Sequence, residues 1–166
     1  MKRTLWLLAF LAIGTQAVNA LESTQGPAKT CPLKTLKEGK SFSLENLKGK
    51  VVYLDFWASW CGPCALSFPF MTEVAKKHKA EGLELVAISV DESREEAEGF
   101  LASHPTDFTV AHDPNGECPK VYGLETMPTS YLIDRKGNLR EIHRGFSNSD
   151  RQELDKAIVA LLKEKP

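Results

Sequence analysis

The 166-residue sequence has no apolar run long enough to cross a bilayer. The longest, Leu5 to Ile13, falls well short of the roughly 20 residues a spanning helix needs. It has no surplus of basic charge either: 21 Lys and Arg stand against 22 Asp and Glu, a net charge of −1. Without a basic face to neutralise phosphates, nucleic acid is excluded as a partner. Cysteine is scarce at four, and only Cys61 and Cys64 lie close together, so no second ligand pair exists for a zinc site. His78, His104, His112 and His143 show no metal-ligand spacing, so no metal is expected. Repeats and low-complexity stretches are also missing, which leaves one domain with a core of its own.

What is present begins with an address. Lys2 and Arg3 precede the short apolar run, and Val18-Asn19-Ala20 places small residues where a signal peptidase reads. Residues 1–20 are therefore expected to be a cleaved secretory signal rather than an uncleaved membrane anchor. Losing Lys2 and Arg3 takes the net charge from −1 to −3. Residues 21–30, polar with Gly26 and Pro27, read as a mobile lead-in, and 31–166 as the folded domain. The product is expected to be soluble in the periplasm, or otherwise exported. An oxidising compartment gives the other two cysteines meaning, because idle thiols pair there. Cys31 and Cys118 are accordingly expected to form a structural disulfide, the alternative being two unpaired thiols or an auxiliary redox partner.

Trp60-Cys61-Gly62-Pro63-Cys64 is the most informative segment. The run before it, Lys50 to Trp57, is apolar and β-branched or aromatic, as a buried central strand requires. Ala65 to Met71 opens a helical stretch reaching about Ala80. Cys61 then sits at a helix N-terminus, where unpaired N–H groups and the helix dipole favour a thiolate. A lowered thiol pKa makes Cys61 the attacking group and Cys64 its resolving partner. Asp55 lies on the strand leading into the motif among apolar neighbours. Its burial would raise its pKa and let it exchange a proton with Cys64.

Further along, Leu83 to Val90 reads as a second buried strand, and Ser93 with Glu96 as a capping box for a helix through about Ser103. Residues 104–117 are loose and rich in turn signals. A short helix from Pro119 to Tyr122 precedes a hairpin, Ser130–Ile133 and Leu139–Arg144, with Gly137 in its loop. Ser149 and Gln152 are positioned to cap a last helix carrying Leu154, Ile158, Leu161 and Leu162 at helical spacing. With Ser41–Leu44 as a short edge strand, the order implies an α/β class: a central mixed sheet flanked by helices on both faces.

The chain resembles the thioredoxin-like fold and, more closely, the exported TlpA/ResA-like thiol-disulfide oxidoreductases. The resemblance rests on Gly39 to Leu44, Leu47 to Val52, Asp55 to Cys64, Asp113-Pro114-Asn115-Gly116, Tyr122-Gly123-Leu124, Met127-Pro128-Thr129 and Leu132-Ile133-Asp134. It implies a cis peptide before Pro128, with Trp60, Met127 and Pro128 receiving an extended substrate strand. It implies no cofactor beyond the redox-active Cys61–Cys64 disulfide. The partners it implies are exported proteins with disulfides, such as apocytochromes c or copper-site proteins, and a membrane-embedded thiol electron donor. ResA-like proteins typically carry Asn at the Asp55 position and Glu at that of Ser67; here the acid is on the strand. Proton handling is therefore expected to resemble that of thioredoxins.

Gly62-Pro63 between the cysteines resembles reducing members of the fold, so a reductase is expected, with oxidase or isomerase as the alternative. Two other classes compete. A peroxidase would want a threonine upstream of one cysteine, and Ala58-Ser59-Trp60 has none. A copper chaperone could use the cysteine pair with His143, although such proteins of this fold typically place three residues between the cysteines.

Overall fold

The structure is a computed structural model that describes residues 22–165; the signal-like segment 1–20 lies outside them. Strands β1 (Glu22–Pro27), β2 (Leu33–Thr35), β3 (Ser41–Phe42) and β4 (Val51–Trp57) lead into helix α1 (Gly62–His78). Then follow β5 (Leu83–Ser89), α2 (Arg94–Ser103), β6 (Thr109–His112), α3 (Glu117–Tyr122), β7 (Thr129–Ile133), β8 (Asn138–Arg144) and α4 (Arg151–Lys163). The strands form one mixed sheet in the order β1-β8-β7-β4-β5-β6-β2-β3.

All seven residues of β4 are buried, because the strand is central in the sheet and covered on both faces. It runs parallel to β5 and antiparallel to β7. Alternation along it splits the core. Val51, Tyr53 and Trp57 pack with Phe68, Met71 and Val74 of α1 and with Leu154, Ile158 and Leu161 of α4. Val52, Leu54 and Phe56 face the other way, toward Cys118 and Tyr122 of α3 and the incoming N-terminal segment. The expected α/β class, with helices on both faces, is what forms.

Some elements differ from expectation. Residues 22–27 are not a loose lead-in: β1 pairs antiparallel with β8. The chain after it is fastened as well. Ala28 donates its N–H to the Gly137 carbonyl at 2.8 Å, and the Tyr122 hydroxyl donates to the Lys29 carbonyl at 2.7 Å. The predicted loose stretch 104–117 contains β6, which is parallel to β5 and antiparallel to β2. Strands this short show no periodicity; their ladders come from neighbours distant in sequence. The capping box of α2 forms, with Ser93 and Glu96 bonded reciprocally. The residue before α4 is Asp150 rather than Ser149, and its carboxylate turns back to accept from the Ser147 N–H at 2.6 Å.

Candidate active site

β4 ends at Trp57, and the chain must turn from the sheet edge into α1 within four residues. A buried carboxylate fixes that turn. Asp91 accepts hydrogen bonds from the Ser59 N–H (2.9 Å), the Ser59 hydroxyl (2.8 Å) and the Ser89 hydroxyl (2.8 Å). Cys61 is the N-cap of α1, with no side chain capping the helix start, and Pro63 lies in the first turn, where an N–H would be unpaired anyway. The exposed helix N–H groups and dipole therefore converge on the Cys61 side of the motif. Sγ of Cys61 and Cys64 are bonded at 2.02 Å. Cys61 retains 5% exposure and Cys64 none, so Cys61 is the member of the pair with any face toward solvent.

Trp60 is 68% exposed beside the motif, whereas Trp57 is fully buried, edge-on to Phe68 at 4.9 Å. Across from the motif lies the segment before β7. Trp60, Cys61, Gly62 and Pro63 line an open groove of about 520 Å³ with Leu124, Glu125, Thr126 and Met127. The Met127–Pro128 peptide is cis, and Pro128, next in the chain after the groove-lining Met127, is buried, its carbonyl accepting from the Gly145 N–H at 2.7 Å. The expected substrate-binding residues Trp60, Met127 and Pro128 therefore lie on two segments that the fold brings opposite each other.

On the strand that leads into the motif, Asp55 is completely buried. Tyr53 and Trp57, which flank it on the same face of β4, belong to one packed cluster with Cys61 and Cys64. The Ser130 hydroxyl donates to Asp55 Oδ1 at 2.7 Å, and the Tyr53 hydroxyl lies 2.6 Å from Ser130 Oγ, placed to donate in turn. Oδ2 has no hydrogen-bond partner. Burial pushes the Asp55 pKa up from 3.8 to about 7, while the Ser130 hydrogen bond pulls the other way. Burial, and secondarily the Asp55 charge, holds the Tyr53 phenol protonated. A carboxyl poised near neutrality, with one oxygen free, can take up or release a proton at working pH.

Ser67, at the position where ResA-like proteins typically carry Glu, is buried and donates to the Cys64 carbonyl at 3.0 Å. Far from the motif, Cys31 and Cys118 are bonded with Sγ atoms 2.00 Å apart, tying the N-terminal segment to α3. Sequence reasoning missed Ser130 and Asp91. An Asp closing a buried strand and a Ser opening another carry no motif, and only the sheet register aligns Ser130 with Asp55. His143, the histidine that the copper-chaperone alternative would use, is buried near Asp150.

A family model described as Redoxin matches residues 21–158. The thiol-disulfide oxidoreductase ResA of Bacillus thuringiensis subsp. konkukian is 38% identical over 116 residues, covering 70% of this chain and 67% of the relative. ResA of Bacillus subtilis is 36% identical over 107 residues, 64% and 60% of the two chains. Among solved structures, a Chlorobium tepidum protein assigned as thiol:disulfide interchange protein DsbE superimposes with a TM-score of 0.81. Its identity is 45%, over 86% of this chain and 99% of that one. StoA from Bacillus subtilis gives a TM-score of 0.64 at 29% identity, over 79% and 96%.

Proposed function

The chain belongs to the Redoxin family and is a thiol-disulfide oxidoreductase of the ResA and DsbE type, and we propose that it serves outside the cytoplasm as a reductase of disulfides in exported proteins. The observation that supports this reading is the placement of Cys61 at the head of α1, with Cys64 fully buried one turn on and Asp55 buried on the strand that leads to them. In the reducing direction, the Cys61 thiolate attacks a substrate disulfide held in the groove beside Met127, forming a mixed disulfide. Cys64 passes its proton to Asp55 and attacks Cys61 Sγ, and the substrate sulfur leaves as a thiolate; the two released substrate sulfurs take their protons from water to become a dithiol. Cys61 and Cys64 are left as the disulfide, and a membrane-embedded thiol donor returns the electrons. Asp55, Cys61 and Cys64 are the catalytic residues in this scheme, and Trp60, Met127 and Pro128 hold the substrate strand.

Gly62-Pro63 supports the reducing direction, because no histidine lies between the cysteines to stabilise the thiolate further. Potentials in such proteins span about −270 to −120 mV, wide enough for this dipeptide to matter. Residues 1–20 are the proposed export signal, and the domain it delivers includes β1; apocytochromes c and copper-site proteins are the proposed substrates. Among the described residues no helix is long and apolar enough to cross a membrane. The test is a Cys64→Ser variant expressed with its signal. It should accumulate mixed disulfides through Cys61, and the captured proteins should be exported cysteine pairs. Absence of captured partners, together with a potential near that of strong oxidants, would reverse the assigned direction.

A further inference from the structure

The two walls of the groove beside Cys61 differ in chemistry. On the α1 side, Trp60 and Leu66, at 68% and 53% exposure, are the two most exposed large apolar side chains among the described residues. Leu66 stands at i+4 from Gly62 and i+3 from Pro63, both of which line the groove, so it shares their face of the helix. Pro69, a turn further on, is exposed as well. Every exposed residue in the first two turns of α1 is therefore apolar, and the strip begins at the groove. Single exposed apolar side chains need no explanation, but a contiguous strip beside a reactive sulfur marks a contact surface. The facing wall, Leu124 to Met127, carries the one charged side chain that lines the groove among the described residues, the exposed Glu125. The backbone that bears it is fixed on both sides. The Leu124 N–H donates to the Pro119 carbonyl of α3 at 2.9 Å, and the Thr129 hydroxyl donates to the Thr126 carbonyl at 2.8 Å. Arg144 and Glu125 act with opposite sign on the Tyr131 phenol, but Arg144 belongs to β8 and does not line the groove.

We propose that Glu125 and the Trp60–Leu66 strip select the substrate: a polypeptide whose reacting cysteine has lysine or arginine on one flank and a large apolar residue on the other. This deepens the reductase reading and rests on it. Attack by Cys61 brings the substrate sulfur into the groove, so the residues on either side of that sulfur lie along the two walls. A basic flank is attracted by the Glu125 carboxylate, which holds the disulfide against Cys61 and speeds its encounter. An acidic flank is repelled by the same group. An apolar flank covers Trp60 and Leu66 and takes their surface out of water. Neither wall takes part in the exchange itself. Glu125 is thus a specificity-determining residue, acting on which disulfide is presented to Cys61.

The test mixes the protein, reduced at Cys61 and Cys64, with peptides closed by one internal disulfide. Each peptide cysteine is flanked by Leu on one side and by Lys, Gln or Glu on the other, in both orders along the chain. Rates are read by acid quench and chromatography, and each is divided by the rate for uncharged hydroxyethyl disulfide. At low ionic strength the Lys peptides should react about tenfold faster than the Glu peptides, and added salt should narrow the ratio. Glu125→Gln should bring the two within about twofold of each other, and Glu125→Lys should invert the order. Leu66→Gln should slow the Leu-flanked peptides about threefold relative to peptides with Gln in place of that Leu. Equal rates for Lys and Glu peptides in the native protein, or a preference that survives Glu125→Gln, overturns the proposal. Indifference to Leu66→Gln overturns its apolar half. Failure of the reductase reading would look different: the native protein would reduce none of these disulfides, hydroxyethyl disulfide included.

Discussion

Asp55 is the residue at which stability and activity pull apart. Its carboxyl titrates near 3.8 when unfolded and is pushed up to about 7 by burial in the fold. The folded state therefore binds more protons than the unfolded state between those values. Stability is full below the ordinary carboxyl range, falls as pH rises from about 4 toward about 7, and levels off above. Asp55→Asn removes this slope. Chemical denaturation of the oxidised protein at pH 8 should show the variant more stable by on the order of a few kcal/mol, with the gain disappearing near pH 4. The same variant should resolve mixed disulfides about 10²-fold more slowly, as expected when a proton acceptor is lost. Ser130→Ala tests the other contribution. Its hydroxyl is the one hydrogen bond that holds the Asp55 pKa down, so its removal should move the carboxyl midpoint above its native value in an infrared titration.

At this scale the sequence was legible where chemistry is local. Cys-x-x-Cys, the strand before it and the Asp on that strand are contiguous, so the residues could be named before the fold was seen. Ser130 and Asp91 were not legible for the opposite reason. Each acts through a neighbour brought close by pairing between strands, 75 residues away in the case of Ser130 and Asp55.

Among the elements, those with strong internal signals formed as read: β4 and β5 as buried runs, α2 from its capping box, and the β7–β8 hairpin around Gly137, whose φ of 84° suits glycine. β1, β2 and β6 have none and depend on what they pair with. The Cys31–Cys118 bond is what holds this weakly encoded part of the sheet in place, closing a sequence separation of 87 residues. Chain-entropy arguments put such a closure on the order of 4 kcal/mol. Replacing both cysteines with serine should lower the denaturation midpoint by a corresponding amount. Exchange protection should fall first in β1, β2 and β6, while the β4–β5 core keeps its slowest amides. Reactivity of Cys61 toward alkylation should be retained in that variant, because α1 and its N-terminus lie on the opposite face of the sheet. An equal loss of protection across β4 and β5 would mean that the bridge supports the whole domain rather than its edge.

The whole molecule carries two disulfides with opposite requirements. Cys118 is fully buried and Cys31 half-buried, and their bond staples elements that form poorly without it. Cys61 keeps 5% exposure where Cys64 has none and, once reduced, gains stabilisation as a thiolate from the N-terminus of α1. Folding therefore favours oxidation of one pair and permits reduction of the other. Reductant reaches Cys61 by direct attack, whereas the structural pair opens only when the sheet edge around it comes apart. A titration with dithiothreitol, followed by alkylation and mass spectrometry, should show Cys61 and Cys64 modified together at potentials where Cys31 and Cys118 remain bonded. Adding denaturant should collapse the gap by exposing the second pair. Because the bridge needs an oxidising compartment to form, expression without residues 1–20 in a reducing cytosol should yield a less stable protein whose Cys61 remains fully reactive. Simultaneous reduction of both pairs in the folded state would show that burial does not separate them, and the division between a permanent and a cycling disulfide would fail.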